Sequence, residues 1–250
     1  QLMDMEALPS VSPPGAALAA FSRPRARSLG IASDCLVKAG TTDSIAAFIA
    51  GELGAPGMAV TSLGTTIAVK LLSKTRVESG TYGVYSHWYG ALWLAGGASN
   101  AGGAILRRDF EEGELACLSG EIDPESPSGL DYYPLVGIGE RFPVNDPEMA
   151  PRLEPRPLDR TRYLHGILEG LARIEALGYR RLTDLGASPL RAVTTAGGGA
   201  DNPAWRRIRE IRLGVPVSVS RHQDAAFGAA RLARLGTGLF PGGPVDRAQT

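Results

Sequence analysis

Three short stretches of the chain combine residue types that could hold an anion and act on it. The first is Thr194-Thr-Ala-Gly-Gly-Gly-Ala-Asp-Asn-Pro-Ala-Trp205, in which Gly197, Gly198 and Gly199 join an apolar strand to a helix. Glycine has no Cβ, so backbone can approach a ligand closely there, and the amino terminus of a helix offers unpaired N–H donors to an anion. The stretch therefore predicts a place where a nucleotide could bind.

Residues on the helical side of this stretch could complete such a site. Pro203–Leu213 is predicted to be a helix, with Asn202 or Asp201 as its cap and Pro203 in its first turn. Trp205, one turn into the helix, could offer a flat apolar face to an adenine ring. The alternative is a glycine-rich packing corner with a core tryptophan, and the stretch alone fits both interpretations equally.

Asp43 is the second candidate, because it directly follows a predicted strand. Cys35-Leu-Val-Lys-Ala-Gly-Thr-Thr-Asp43 is typical of a strand that ends in a polar turn, and Ser44–Ala50 is predicted to be a short apolar helix. Ligands of open α/β sheets bind at the carboxyl ends of strands, which makes Asp43 a candidate functional carboxylate. An aspartate that merely caps the helix is the alternative.

The third stretch, Leu63-Gly-Thr-Thr66, lies about twenty residues after Asp43. It separates two β-rich runs within residues 57–72 and is predicted to form a hairpin-like bend. Backbone N–H groups and the hydroxyls of Thr65 and Thr66 in such a turn could cradle a phosphate. Gly-Thr-Thr also occurs in ordinary hairpins, so its position after Asp43 carries more weight than its composition.

Composition excludes several classes of protein. The 250 residues are 44% apolar, which supports a substantial core, and 26 basic residues balance 26 acidic ones. A net charge of zero provides no long-range attraction to nucleic acid or to an anionic membrane, so neither is expected as a partner. The sequence shows no metal-ligand cluster, membrane span or signal peptide. Its two cysteines, Cys35 and Cys117, are expected to be free thiols in a reducing compartment.

The remaining segments are predicted from turn residues and periodicity. Gln1–Asp34 is expected to be a surface connection, and the prolines of residues 121–160 favour an irregular excursion. Thr161–Leu177 has apolar residues at i, i+3, i+4 spacing and is predicted to be a helix that Gly178 ends. Further expectations are an aromatic packing cluster at Tyr82–Trp93 with a structural role for His87, a glycine-rich bend at Gly96–Ala104, a solvated helix at Arg107–Glu114, a brief strand at Asp131–Val136, a strand at Val215–Val219 and a helix at Gln223–Leu235.

The order of these features resembles the second domain of the actin-like ATPase fold, an α/β, ribonuclease H-like architecture. Within that fold the chain resembles the carboxyl-terminal half of the FGGY carbohydrate kinases, and especially the ribulose and xylulose kinase-like members of plants and cyanobacteria. The likeness extends from about Leu8 to Leu235. It is carried by seven motifs in the same order: Ala39-Gly-Thr-Thr-Asp-Ser-Ile-Ala-Ala47, Ser62-Leu-Gly-Thr-Thr66, Gly97-Ala-Ser-Asn100, Gly139-Glu-Arg-Phe-Pro143, Leu168-Glu-Gly-Leu-Ala172, Ala196-Gly-Gly-Gly-Ala-Asp-Asn202 and Phe227-Gly-Ala-Ala230.

The resemblance implies ATP-dependent phosphorylation of a ketopentose or related sugar, with D-ribulose or xylulose as the expected acceptor and with ATP and Mg²⁺ as cofactors. Asp43 matches the family's catalytic base, which accepts the proton of the attacking sugar hydroxyl. Residues that match the nucleotide side are Gly64, Thr65 and Thr66 facing the β- and γ-phosphates, Gly197, Gly198 and Gly199 at the adenosine turn, Asn202 and Trp205 at the adenine and ribose, and Gly97 and Asn100 in a further loop. No residue of the chain is assigned to the metal.

The main departure from the family pattern is an absence. Members begin with a first domain that carries an Asp-x-Gly-Thr turn and most sugar contacts, and Gln1 is not an initiator residue. We therefore expect a truncated chain, with residues 1–34 as the connection from a missing first domain that is supplied in cis or in trans. Residues 35–240 would be the carboxyl-terminal domain. Such a chain is expected to have little or no kinase activity by itself.

The sequence leaves two alternatives open. One is a nucleotide-binding or partner-binding remnant that kept the fold without catalysis, and the other is a structural remnant with no ligand. The intact Asp43, Gly64-Thr65 and Gly197–Gly199 favour the kinase interpretation. By resemblance, the protein would be soluble and intracellular, in the cytoplasm or the plastid stroma.

Overall fold

The computed structural model describes residues 10–222 and 224–240. The chain divides into two compact units: Gln1–Glu52 with Asp224–Thr250 form the first, and Leu53–Gln223 forms the second. Among the residues that the structure describes, no helix combines the length and the apolarity needed to cross a bilayer.

The first unit begins with a strand–helix–strand element. β1 (Ala17–Ala20) pairs antiparallel with β2 (Leu36–Lys38), and α1 (Arg23–Leu29) lies between them in sequence. The helix has a proline in its first turn and ends at Gly30, whose φ of 67° is left-handed. The segment predicted as a connection over residues 1–34 thus contains β1 and α1 in its described part.

The pair of helices α2 (Asp43–Ala50) and α7 (Ala225–Leu235) forms the core of the first unit. α2 matches the helix predicted from Ser44 and buries an apolar face that includes Phe48 and Ile49. The two helices approach very closely at Gly228, where a Cβ would lie 1.7 Å from the carbonyl oxygen of Ala46. Only glycine permits this backbone-to-backbone contact.

Gly228→Ala is expected to destabilise the chain by about 1–3 kcal/mol, because α7 would have to move away from α2. The direction of the change in unfolding free energy is diagnostic, since Gly→Ala in a helix interior with free space around it stabilises a protein by about 1 kcal/mol. Urea unfolding followed by circular dichroism measures the change. Gly238→Ala is the control, because an added Cβ there meets nothing within 4 Å. Equal unfolding free energies for the two variants would contradict the close contact.

The second unit is built on a six-stranded mixed sheet. Its strands are β3 (Met58–Leu63), β4 (Ile67–Ser73), β5 (Tyr85–Tyr89), β6 (Leu92–Ala98), β7 (Ala192–Ala196) and β8 (Val217–Val219), in the order β5-β6-β4-β3-β7-β8. β3 pairs parallel with β7 and antiparallel with β4. Because β3 and β7 are parallel neighbours, the turns that follow Leu63 and Ala196 leave the sheet at the same edge.

Four helices accompany this sheet: α3 (Ala104–Asp109), α4 (Glu112–Glu121), α5 (Arg160–Asp184) and α6 (Pro203–Leu213). The long helix α5 is capped by Asp159, whose carboxylate accepts the N–H of Thr161 at 2.9 Å. Residues 122–159, all of which are described, contain isolated bridges but no helix or strand, in agreement with the proline-rich excursion predicted there. The brief strand predicted at Asp131–Val136 is wrong, since only a bridge between Tyr133 and Arg152 forms.

Two predictions about glycines are wrong, and both glycines contact the same aromatic ring. Gly178 does not end α5, which continues to Asp184, and Gly97 lies in β6 rather than in a bend. A Cβ at Gly178 would be 2.8 Å from Cε1 of Phe142, and one at Gly97 would be 2.7 Å from its Cδ2. Both glycines therefore make room for the buried Phe142 ring between the sheet and α5, without breaking either element.

The helix predicted over Arg107–Glu114 is also corrected. The chain forms α3 and α4 instead, separated at Phe110, whose φ of −138° and ψ of 144° are extended. Phe110 is buried in the core of the unit. Burial of this ring thus outweighs continuation of the helix.

Candidate functional site

Two of the predicted turns meet at the carboxyl edge of β3 and β7. The amide of Gly199 donates a hydrogen bond of 3.3 Å to the carbonyl oxygen of Leu63. Gly197 has a φ of +90°, and a Cβ there would lie 2.7 Å from the same carbonyl oxygen. Glycine is required at this position both for its backbone conformation and for the close contact.

A third glycine turn, at Gly102 and Gly103, packs against the turn at Gly64. The sequence contains no signal for this contact. The amide of Gly103 donates to the carbonyl oxygen of Gly64 at 2.8 Å. A Cβ on Gly102 would lie 2.5 Å from Cα of Thr66. Three glycine-bearing turns therefore pack backbone against backbone.

A cavity of about 540 Å³ opens between these turns. Its lining residues are Leu63, Gly64, Gly103, Leu106, Arg107, Phe110, Glu111, Leu115, Gly198, Gly199 and Trp205. Gly198 is the most accessible part of the glycine turn, because nothing lies within 4 Å of the position that its Cβ would occupy. A ligand can reach the backbone there, and the cavity has the size of a small-molecule site.

The walls of the cavity differ in character. Leu106, Phe110 and Leu115 provide apolar surface. Arg107 is exposed, and its Nη1 lies 3.7 Å from the Cβ position of Gly103, beside the turn at Gly64. Guanidinium groups bind phosphate oxygens well, so the cavity combines an apolar end with a cationic end. The charge pattern of residues 107–114 predicts a solvated helix and contains no signal for a role of Arg107 or Phe110 in a site.

Trp205 forms part of the wall from inside the core. Only 1% of its surface is exposed, and the ring packs against Gly199, whose Cβ would lie 2.5 Å from Cζ3. Its Nε1 is buried and has no hydrogen-bond partner among the described residues. Buried donors usually have a partner, and Trp205 is one of the residues that line the cavity.

Asn202 acts as a helix cap. Its Oδ1 accepts the N–H of Trp205 at 2.9 Å, and its Nδ2 donates to Oγ of Ser119 at 2.8 Å. It therefore fixes the start of α6, as one of the sequence predictions proposed, and attaches this helix to α4. Asn202 is not among the cavity-lining residues.

Gly97 and Asn100 are not brought to the cavity. Gly97 packs under Phe142, and Nδ2 of Asn100 donates to the carbonyl oxygen of Gly139 at 2.9 Å. Thr65 and Thr66 lie in the turn between β3 and β4, where Thr65 is exposed, but neither is among the residues that line the cavity.

Asp43 belongs to the first unit, where it is the first residue of α2. Its side chain is exposed, and Oδ1 accepts the N–H of Ser44 at 2.6 Å. Thr42, the residue before the helix, makes no side-chain capping bond. Asp43 thus bonds to the amide of the next residue and keeps its carboxylate accessible.

Glu140 holds the third glycine turn in place. This buried carboxylate accepts hydrogen bonds from Oγ of Ser99 at 2.5 Å, from the amide of Asn100 at 2.7 Å and from the hydroxyl of Tyr133 at 3.0 Å. Burial, reinforced by the Glu140 charge, raises the pKa of Tyr133, so the phenol remains a donor. The sequence supplied Glu140 within a motif but no role for it.

A fully buried ion pair joins helices α5 and α6. Nε of Arg209 lies 2.6 Å from Oε2 of Glu175, and both side chains are 1% exposed. Arg209 also donates to Thr195 on β7 at 2.7 Å, and Thr61 on β3 donates to Glu175 at 2.5 Å. The network therefore connects α5 and α6 to the two strands whose turns form the site.

The comparison with known families decides the identification. The family model for the FGGY family of carbohydrate kinases, C-terminal domain, matches residues 59–236. The chain belongs to the FGGY family of carbohydrate kinases. Every cavity-lining residue of this FGGY chain lies within the matched range, whereas Asp43 precedes it.

Individual relatives of this FGGY chain include sugar kinases. It is 27% identical over 222 residues to a xylulose kinase of Bacillus subtilis (strain 168), covering 84% of the chain and 44% of that protein. A xyloylose kinase from Brucella ovis has a TM-score of 0.79 at 22% identity, covering 91% of the chain and 49% of that structure. A ligand-bound xylulose kinase from Lactobacillus acidophilus has a TM-score of 0.78 at 19% identity, and the match covers 95% of the chain and 50% of that structure.

These matches confirm the fold predicted from the sequence, the actin-like ATPase fold of the FGGY kinases. The chain spans about half the length of the relatives it matches.

Proposed function

We propose that this chain supplies the nucleotide-binding side of an ATP-dependent sugar kinase. The observation that carries the proposal is the cavity between the three glycine turns, with accessible backbone at Gly198 and a cationic side chain at Arg107. Adenosine would lie against Gly198, Gly199 and the apolar wall, with Nε1 of Trp205 as a donor. The phosphates would extend toward Arg107 and the turn at Gly64.

Asp43 is proposed as the general base of the transfer. The oxygen of a sugar hydroxyl attacks the γ-phosphorus, the bond to the β–γ bridging oxygen breaks, ADP leaves, and the hydroxyl proton passes to the carboxylate of Asp43. The accessible carboxylate of Asp43 supports this role. A reaction of this type depends mainly on positioning and charge neutralisation.

Mg²⁺ accompanies ATP in such reactions. The described residues contain no group of three His, Cys, Asp or Glu side chains that could hold a metal ion. In proteins Mg²⁺ is usually held by the phosphate oxygens together with one or two carboxylates, so we assign no residue of this chain to the ion and no step through it.

The acceptor is proposed to be xylulose, with D-ribulose as the related candidate. Support comes from the relative in Bacillus subtilis, which is a xylulose kinase. Because the relatives are about twice as long as this chain, we expect these 250 residues to turn over slowly without a first kinase domain in cis or in trans.

Nucleotide binding is tested by titrating ADP and ATP into the chain by calorimetry. We expect saturable binding, and Gly198→Ala should weaken it roughly tenfold, or by about 1.4 kcal/mol, because the added methyl group occupies space that the ligand needs. The thermal unfolding of the variant should not change, since the methyl group meets no protein atom within 4 Å.

Gly54→Ala is the matched control, because its Cβ also meets nothing within 4 Å and residue 54 lies outside the cavity. It should bind ADP like the wild type. Absence of binding to the wild-type chain, or equal affinities for the two variants, would contradict the proposed site.

A further inference from the structure

A second cavity lies on one face of strands β4, β6 and β5. We call it the Lys70 trough; its volume is about 250 Å³. Lys70, Gly96 and Tyr85 are direct partners across the three strands, so their side chains belong to the same face. His87, two residues after Tyr85, points to that face as well.

The trough exists because residue 96 is glycine. A Cβ there would lie 2.8 Å from the carbonyl oxygen of Val69 and 3.3 Å from Cγ of Lys70. The neighbouring pair across the strands, Ala68 and Ala98, is also small. Small residues thus form the floor, while Lys70, Tyr85 and His87 form the walls.

Basic side chains are concentrated in this trough. Lys70, His87 and Arg141 all line it, and none of the described lining residues is acidic. Nζ of Lys70 is buried. Arg181 adds a further charge, with its guanidinium 4.2 Å from the ring centre of Tyr82, another wall residue. The chain as a whole has a net charge of zero, so these four basic groups around one small cavity are a local concentration of basic residues.

One acidic residue is a neighbour of the trough in sequence, but it is not among the residues that line the trough. Glu140, next to Arg141 in sequence, uses its carboxylate to accept the bonds from Ser99, Asn100 and Tyr133 described above. Burial, and then the charge of Lys70, lower the pKa of His87. A lowered pKa favours the neutral imidazole, so the positive charge of the trough comes from Lys70 and Arg141.

We propose that the Lys70 trough is a binding site for the phosphate group of a small phosphorylated sugar. Lys70 and Arg141 supply charge and hydrogen-bond donors for phosphate oxygens. Tyr82 and Tyr85 supply aromatic surface and hydroxyl groups for a polyol. The trough shares no lining residue with the cavity at the glycine turns, so the proposal does not depend on the proposed nucleotide site.

The test titrates three probes into the chain by calorimetry: xylulose 5-phosphate, inorganic phosphate and unphosphorylated xylulose. We expect the sugar phosphate to bind more tightly than phosphate, and xylulose not to bind at the trough. Lys70→Met should weaken sugar phosphate binding roughly tenfold or more, since charged hydrogen bonds are lost. Lys74→Met, the same change at an exposed lysine just beyond β4, should bind like the wild type.

Three further measurements keep the result specific to the trough. The ring signals of His87 in NMR spectra should shift when the sugar phosphate is added. Saturating ADP should leave the affinity of the chain for the sugar phosphate unchanged. Displacement of the sugar phosphate by ADP would place it in the cavity at the glycine turns and overturn the proposal. Arg141→Met changes an exposed side chain and should also weaken binding of the sugar phosphate. It serves as the test variant if Lys70→Met does not fold.

Several outcomes would refute the proposal. Equal affinity for phosphate and for the sugar phosphate would show a site for the bare anion. Undetectable binding of the sugar phosphate, or binding that survives both Lys70→Met and Arg141→Met, would show that the trough is not the site.

Discussion

Arg209→Met is expected to lower the free energy of unfolding by about 3–5 kcal/mol, because it leaves a carboxylate buried without its partner. In the wild type the guanidinium lies 2.6 and 2.8 Å from the two oxygens of Glu175, and both side chains are 1% exposed. Thr61 and Thr195 complete the bonding of this pair. Urea unfolding monitored by circular dichroism measures the loss.

Two controls separate the buried charge from other effects. Glu125→Gln removes the exposed ion pair that Arg207 forms on the same helix α6, and it should cost at most about 1 kcal/mol. The double variant Glu175→Met with Arg209→Met removes both charges and should be more stable than Arg209→Met alone. If the double variant is less stable than the single variant, the destabilisation does not come from the unpaired carboxylate.

The same network has a consequence for the site. Arg209 lies one helical turn after Trp205 on α6, and it binds Thr195 just before the glycine turn. Loss of Arg209 removes its hydrogen bond to Thr195, which joins α6 to β7. Arg209→Met should therefore also weaken ADP binding, whereas Glu125→Gln should not.

Asp43→Asn is expected to lower the residual phosphoryl transfer of the chain by about 10²- to 10⁴-fold, the usual contribution of a general base. The amide keeps an oxygen that can accept the N–H of Ser44, so α2 should remain folded. The rate is measured in single-turnover reactions with the protein in excess over radiolabelled ATP and with xylulose present. ADP affinity should not change.

Asp34→Asn is the matched control, because Asp34 is an exposed carboxylate in the same unit. It should keep the wild-type rate. A rate for Asp43→Asn close to that of Asp34→Asn would remove Asp43 from the proposed mechanism. Wild-type turnover as fast as that of a full-length xylulose kinase would contradict the expected need for a first domain.

The sequence by itself determined the features that depend on neighbouring residues. Helix α6 starts after Asn202 and a turn at Gly64–Thr66 separates β3 from β4, as predicted, and α2 starts at Asp43, one residue before its predicted start at Ser44. Capping residues, prolines and alternating apolar residues act over a few positions along the chain, so their meaning is local. The order of the motifs also indicated the family, which the comparison confirmed.

Only the tertiary structure decided what the glycines do and which polar groups belong together. Gly178 lies within a helix and Gly97 within a strand, and each leaves space for the ring of Phe142. Gly102 and Gly103 instead pack on the turn at Gly64. A glycine has no side chain that indicates its neighbour, so one residue type serves turns and close contacts alike. The pairing of Glu175 with Arg209 joins residues separated by 34 positions. Such contacts arise from the packing of helices on the sheet, and the local sequence pattern contains no signal for them.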